Sequence, residues 1–168
     1  MKSTTRVVTL LGAVALCLGG VSAANAASTA SANGQGTLDN NQRHFSFNAK
    51  KAADGSVSGQ AELTNKAYSG GNPNSPYKLK IDITCMKKVG NTAVFGGWGH
   101  PNDNDPVFQD AVFFSVVDNG EPGKADQISR VYAWDDNATI TGDPQACLLT
   151  NPGDLLPETI QSGNIQVK

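Results

Sequence analysis

Three carboxylates crowd one turn of this chain. Asp118, Glu121 and Asp126 fall within Asp118-Asn119-Gly120-Glu121-Pro122-Gly123-Lys124-Ala125-Asp126. Asn119-Gly120 favours the positive φ that a tight hairpin needs. Pro122 removes a donor and ends any ladder there. Two chemistries suit such a turn. A hard cation such as calcium takes several carboxylate and carbonyl oxygens, so the three acids are a candidate metal site. Alternatively Asp118 and Asp126 cap backbone amides and Glu121 stands in solvent. Short acidic turns match metal motifs often by chance, so the capping reading is preferred and calcium is the one cofactor left open.

A second oxygen-rich loop offers an alternative metal site at Asp103 and Asp105, in Asn102-Asp103-Asn104-Asp105-Pro106-Val107-Phe108. It resembles the calcium-linker motif of cadherins, but His100 stands where those carry Asp and the motif lies mid-domain. The competing reading is a loop whose Asn and Asp cap their own turns. Trp98 and Trp134 could present stacking faces to a sugar, with Tyr68 beside them, although core packing is the commoner fate of a strand-end Trp. Catalysis finds little support. His100 has Asp103 and Asp105 nearby, yet no nucleophile sits in an activating context. The expectation is a protein that is not an enzyme.

The first residues are a targeting segment. Lys2 and Arg6 precede an apolar run from Val7 to Gly20, and Ala24-Asn25-Ala26 is a small-residue cleavage site. The run is too short to span a membrane. Residues 1–26 are therefore expected to be a signal peptide, and the protein to be secreted. Cys85 and Cys147 then lie in an oxidising compartment, where a lone pair most often forms a disulfide. Net charge is −2 for the whole chain, and more acidic once Lys2 and Arg6 are removed. With no basic patch, nucleic acid is excluded as a partner. The partner expected is an extracellular ligand or cell-surface component, met by a monomer.

The elements that must position these residues read as strands. Residues 27–41 are rich in Ala, Ser, Asn and Gly and read as a flexible leader, leaving 42–168 as a single β domain. Phe45 and Phe47 alternate with His44, Ser46 and Asn48. Val57, Gly59, Ala61 and Leu63 alternate with Ser58, Gln60 and Glu62. Tyr77, Leu79, Ile81, Ile83 and Cys85 share one face against Lys78, Lys80, Asp82 and Thr84. Thr92–Gly97 is a short strand. Residues 111–117 are apolar on both faces and read as a central strand. Residues 127–134 alternate with Ile128, Tyr132 and Trp134 on one face, residues 138–141 read as a short strand, and Ile165 and Val167 close the chain. No segment carries a sustained helical period. The expectation is an all-β fold, an antiparallel sandwich or flattened barrel of seven or eight short strands.

Five motifs occur in one order: Phe45-Ser46-Phe47-Asn48-Ala49-Lys50, Asp54-Gly55-Ser56-Val57-Ser58-Gly59-Gln60, Gly90-Asn91-Thr92-Ala93, the acidic turn from Asp118, and Gly163-Asn164-Ile165-Gln166-Val167. Together they resemble the post-COAP-1 domain, a small all-β domain of exported bacterial proteins. The resemblance implies an accessory or surface role without an established enzymatic activity. This chain departs from the pattern in longer loops at 65–76, 98–110 and 142–162, in Cys147, and in Lys168 where that family often ends on histidine. Function is thus expected to be binding or surface-structural, with carbohydrate or cell-wall binding as the alternative and a hydrolase third.

Overall fold

A computed structural model describes residues 28–66, 77–100, 110–121, 123, 125–133 and 142–168. The expected signal peptide, the loop with Asp103 and Asp105, Tyr68, Trp134 and residues 138–141 lie outside the described residues. The described chain forms ten strands: β1 Ser28–Leu38, β2 Arg43–Ala52, β3 Val57–Asn65, β4 Tyr77–Val89, β5 Thr92–His100, β6 Ala111–Val117, β7 Gln127–Ile128, β8 Tyr132–Ala133, β9 Glu158–Thr159 and β10 Ser162–Val167. They pair antiparallel in the order β10-β1-β2-β3-β4-β5-β6-β7-β9, with β8 also on β6. The all-β antiparallel expectation holds, as one sheet curled into a half-barrel.

Connectivity forces the curl. β9 and β10 lie at opposite ends of the sheet, yet only Ile160 and Gln161 separate them in sequence. Two residues span less than about 11 Å, so the two ends must come together. Arg43 on β2, nearly buried, helps hold them: it donates to Asp39 at 2.5 Å and to Glu158 of β9 at 2.6 Å. Inside the curl sits an aromatic core. Phe47 of β2 meets Phe95 of β5 at 5.4 Å and Phe114 of β6 at 5.8 Å between ring centroids. Such pairs across a barrel interior add packing energy beyond area burial. Gly34 on β1 makes room, since a Cβ there would press within 2.7 Å of the Phe47 ring.

The structure corrects three expectations. The residues read as a flexible leader contain β1, which lies between β10 and β2. Its Ala, Gly and Asn content hid a strand whose small residues fit under Phe45 and Phe47. The pattern over 127–134 is broken: Ile128 and Ser129 are both buried, whereas Tyr132 is exposed. Two short strands, β7 and β8, stand where one was expected. Finally, Cys85 does not share a face with Ile81 and Ile83. The register slips by one between Ile83 and Cys85. A bulged residue, Thr84, reverses the alternation beyond it. Met86 therefore joins the inner core, and Cys85 points outward.

That reversal has a counterpart on β5 and β6. Val94, Ala111 and Phe113 also point outward, into a second apolar cluster with Cys147 and Leu155. Two short 3-10 turns, Pro144–Leu148 and Pro152–Leu155, cover it. β6 is buried on both faces, as a central strand should be. The Cys85–Cys147 disulfide pins the cover to β4, with Cα atoms 6.2 Å apart. Asp110 anchors the entry to the cover by accepting from the Gly142 amide at 3.0 and 3.1 Å.

Candidate functional site

The other half of the outer face carries no such cover among the described residues. Period-two alternation sends every second side chain of β1, β2, β3 and of β4 before Thr84 outward, and these are polar. Pairing registers align them into two rows across six strands. In one row Gln166, Asn33, Asn48, Gln60, Asp82 and Trp98 lie opposite one another in turn. In the next, Asn164, Gln35, Ser46, Glu62, Lys80 and His100 do the same. All of these except Trp98 line one open groove of about 840 Å³. Trp98 stands beside Asp82 and is 39% exposed.

Electrostatics divide the groove. Asn33, Gln35, Asn48, Gln60, Asn164 and Gln166 make one end neutral and amide-rich. The other end is charged. Glu62 pairs with Lys78 at 3.0 Å and Asp82 with Nε2 of His100 at 2.6 Å. Lys80, exposed between those acids, has no ion pair among the described residues.

The acidic turn borders this groove. β10 is an end strand, and its outward amides need acceptors. Asp126, 0% exposed, accepts from Ile165 N at 2.7 Å and from Asn119 N at 2.8 Å. Asp118 accepts from Val167 N at 2.9 Å and from Gly120 N at 3.0 Å. The two carboxylates do for β10 what a neighbouring strand would do. Gly123, at φ 79°, lets the turn press against Gly163 and Asn164, where a Cβ would collide.

Glu121 is exposed, as expected, but it is not without partners. Its Oε1 accepts from the side-chain amides of Asn164 at 3.0 Å and Gln166 at 3.1 Å. Those two donors, Gln166 foremost, lower its pKa. Glu121 thereby fixes the two groove amides that β10 contributes. Asp118, Glu121 and Asp126 are thus divided among separate donors, and no group of three or more metal-ligating side chains forms among the described residues.

Of the residues singled out from sequence, the structure brings Trp98 and His100 to the groove's charged end and gives Asp118, Asp126 and Glu121 to its β10 edge. Asp103, Asp105 and Trp134 are not described. Sequence reasoning treated Ser46, Asn48, Gln60, Glu62, Lys80 and Asp82 as a solvent face and passed over Asn33 and Gln35 as leader. The available signal was composition: Asn and Gln recur at outward positions where Lys, Glu and Thr usually serve. No family model, curated protein or solved structure matches this chain.

Proposed function

We propose that this protein is an exported, non-enzymatic binding module that holds a carbohydrate polymer across the open outer face of β10, β1, β2, β3, β4 and β5. The observation that carries the reading is the double row of amides and carboxyls ending at a half-exposed Trp98. Sugar hydroxyls both donate and accept, and each Asn or Gln side chain offers both functions in one plane. An aromatic face beside them packs against the apolar face of a pyranose ring. The rows extend about 24 Å at a strand spacing of about 4.8 Å, which suits an extended chain. The polarity of the lining argues against an ordinary small apolar ligand.

Binding fits better than hydrolysis. Glycoside cleavage requires two carboxyl groups poised on either side of the bond, whereas Glu62 is paired with Lys78 and Asp82 is held by Nε2 of His100. Export is supported by the leader pattern of residues 1–26 and by the disulfide. No described helix is long and apolar enough to cross a membrane. Action as a monomer is favoured by the capped β10 edge, which leaves its Ile165 and Val167 amides unavailable for strand pairing. The resemblance to the post-COAP-1 domain points to the same accessory role.

Affinity electrophoresis through gels carrying soluble polysaccharides tests the reading. The protein should be retarded by at least one polymer, and Gln60→Ala and Trp98→Ala should each relieve that retardation without lowering the melting temperature. Retardation that survives both substitutions would move the site elsewhere.

A further inference from the structure

We infer that the polymer is an unbranched chain of equatorially linked pyranoses, as in cellulose or chitin, and that it lies across the strands with one ring to each. This rests on the carbohydrate reading above and adds the linkage and the axis of the ligand. The ground for it is shape. The two rows run from Gln166 and Asn164 on β10 to Trp98 and His100 on β5 with each residue directly opposite the next. The slips in pairing, between Ser28 and Ala30 and between Ile83 and Cys85, lie beyond both rows. The rows are therefore two continuous lanes. They are about 24 Å long, from five strand spacings, and about 7 Å apart, the distance between alternate residues of one strand. Between the lanes, Gly34 has no side chain, and Phe47, Ala61 and Ile81 turn theirs into the inner core. The floor of the groove is thus backbone.

A slot of that size admits one thin, straight chain. Equatorial bonds at opposite corners of the ring keep successive pyranoses in line. The chain is then a flat ribbon that advances by about one strand spacing per ring. Its hydroxyl or acetamido groups lie along both edges, within reach of the side-chain amides of both rows. Its apolar ring faces suit Trp98, where the groove ends. The ribbon also tolerates the gradual rotation from strand to strand of a twisted sheet. An axial bond turns the chain at every ring and winds it into a coil too wide for the slot. A bond through the exocyclic carbon adds a freely turning link, and straightening each one costs conformational entropy.

The experiment compares retardation by hydroxyethylcellulose, glycol chitin, pullulan and dextran. The first two carry equatorial links, pullulan mostly axial ones, and dextran links through its exocyclic carbon. The protein should be retarded by one or both of the first pair and by neither of the second. Retention by hydroxyethylcellulose alone assigns hydroxyls along the ribbon edge, by glycol chitin alone acetamido groups, and by both the linkage only. Calorimetry then compares chains of three and six rings of the retarding sugar. Six rings should bind at least about tenfold more tightly, from the added hydrogen bonds. Asn33→Ala, at an exposed position on β1, should weaken six-ring binding by about threefold to tenfold. It should leave three-ring binding and the melting temperature unchanged, because three rings anchored at Trp98 stop short of β1. Equal affinity for three and six rings, or an equal effect of Asn33→Ala on both, overturns the lane across six strands. Retardation only by polysaccharides of other linkage, or equally by all four, overturns the linkage and leaves the carbohydrate reading standing. A folded protein retarded by no polysaccharide overturns both.

Discussion

Over the outer face of β5 and β6 the chain lays Cys147 and Leu155 on Val94, Ala111 and Phe113, with Pro144 over Gly96. Over the outer face of β1, β2 and β3 the described residues lay nothing, and the side chains there are Asn, Gln, Ser and Glu. Both halves belong to one sheet with one inner core. The border is the bulge at Thr84, where outward positions on β4 change from Lys80 and Asp82 to Cys85. Apolar outward residues require a cover because exposing them forfeits roughly 25 cal/mol per Å² of burial. Polar outward residues require none, so their half remains free to meet a ligand. One half contributes stability, and the other is the half proposed to bind.

The largest expected effect tests what fastens the cover. Replacing Cys85 and Cys147 together by Ser opens a loop with a sequence separation of 62 and should cost about 4 kcal/mol on the chain-entropy account, read from urea unfolding. A loss under about 1 kcal/mol would mean that packing alone holds the cover. The next comparison sets one outward residue from each half side by side. Phe113→Ala should destabilise by about 3–5 kcal/mol, as truncation of a buried aromatic does. Gln60→Ala should change stability by no more than about 0.5 kcal/mol. Equal effects would erase the distinction between the halves.

Smaller effects probe the seam beside the open half. Asp126→Ala leaves the Asn119 and Ile165 amides without an acceptor and should cost about 2–3 kcal/mol. If the loss were negligible, the two carboxylates would not be what closes β10. Smaller still is the pH response of Glu121. Its pKa is lowered in the folded protein, so its contribution is present above the ordinary carboxylate range and fades as pH falls through the lowered value. The melting-temperature difference between wild type and Glu121→Gln should therefore shrink on acidification below the usual glutamate pKa. A difference that grows instead would reverse the assignment. Calcium should produce no rise in melting temperature, since these acids already hold donors; a rise abolished by Asp118→Asn would restore the cation site.

Much of this was legible in the residues. The alternation of β2, β3 and the first half of β4 named Phe45, Phe47, Leu79, Ile81 and Ile83 as core, and all are buried. The leader reading of β1 failed because strand propensity rewards β-branched and aromatic side chains, whereas β1 earns its place by being small enough for the Phe45 and Phe47 rings. The Asn119-Gly120 turn and its capping aspartates were readable, but half their donors were not. Val167 and Ile165 lie 49 and 39 residues from the acids that hold them, and no local pattern encodes such a pairing.

The sequence by itself determined the strand class, the side to which most outward residues point, and the pairing of Cys85 with Cys147. Each follows from local periodicity or from there being few alternatives. Tertiary structure alone decided that Cys85 faces away from Ile83, that the two ends of the sheet meet, and that the outward amides of six strands fall into two aligned rows. A single bulged residue reverses every face beyond it, and register across strands is set by contacts between residues far apart in sequence. The proposed binding face, made of one or two side chains per strand, therefore exists only once those strands lie side by side.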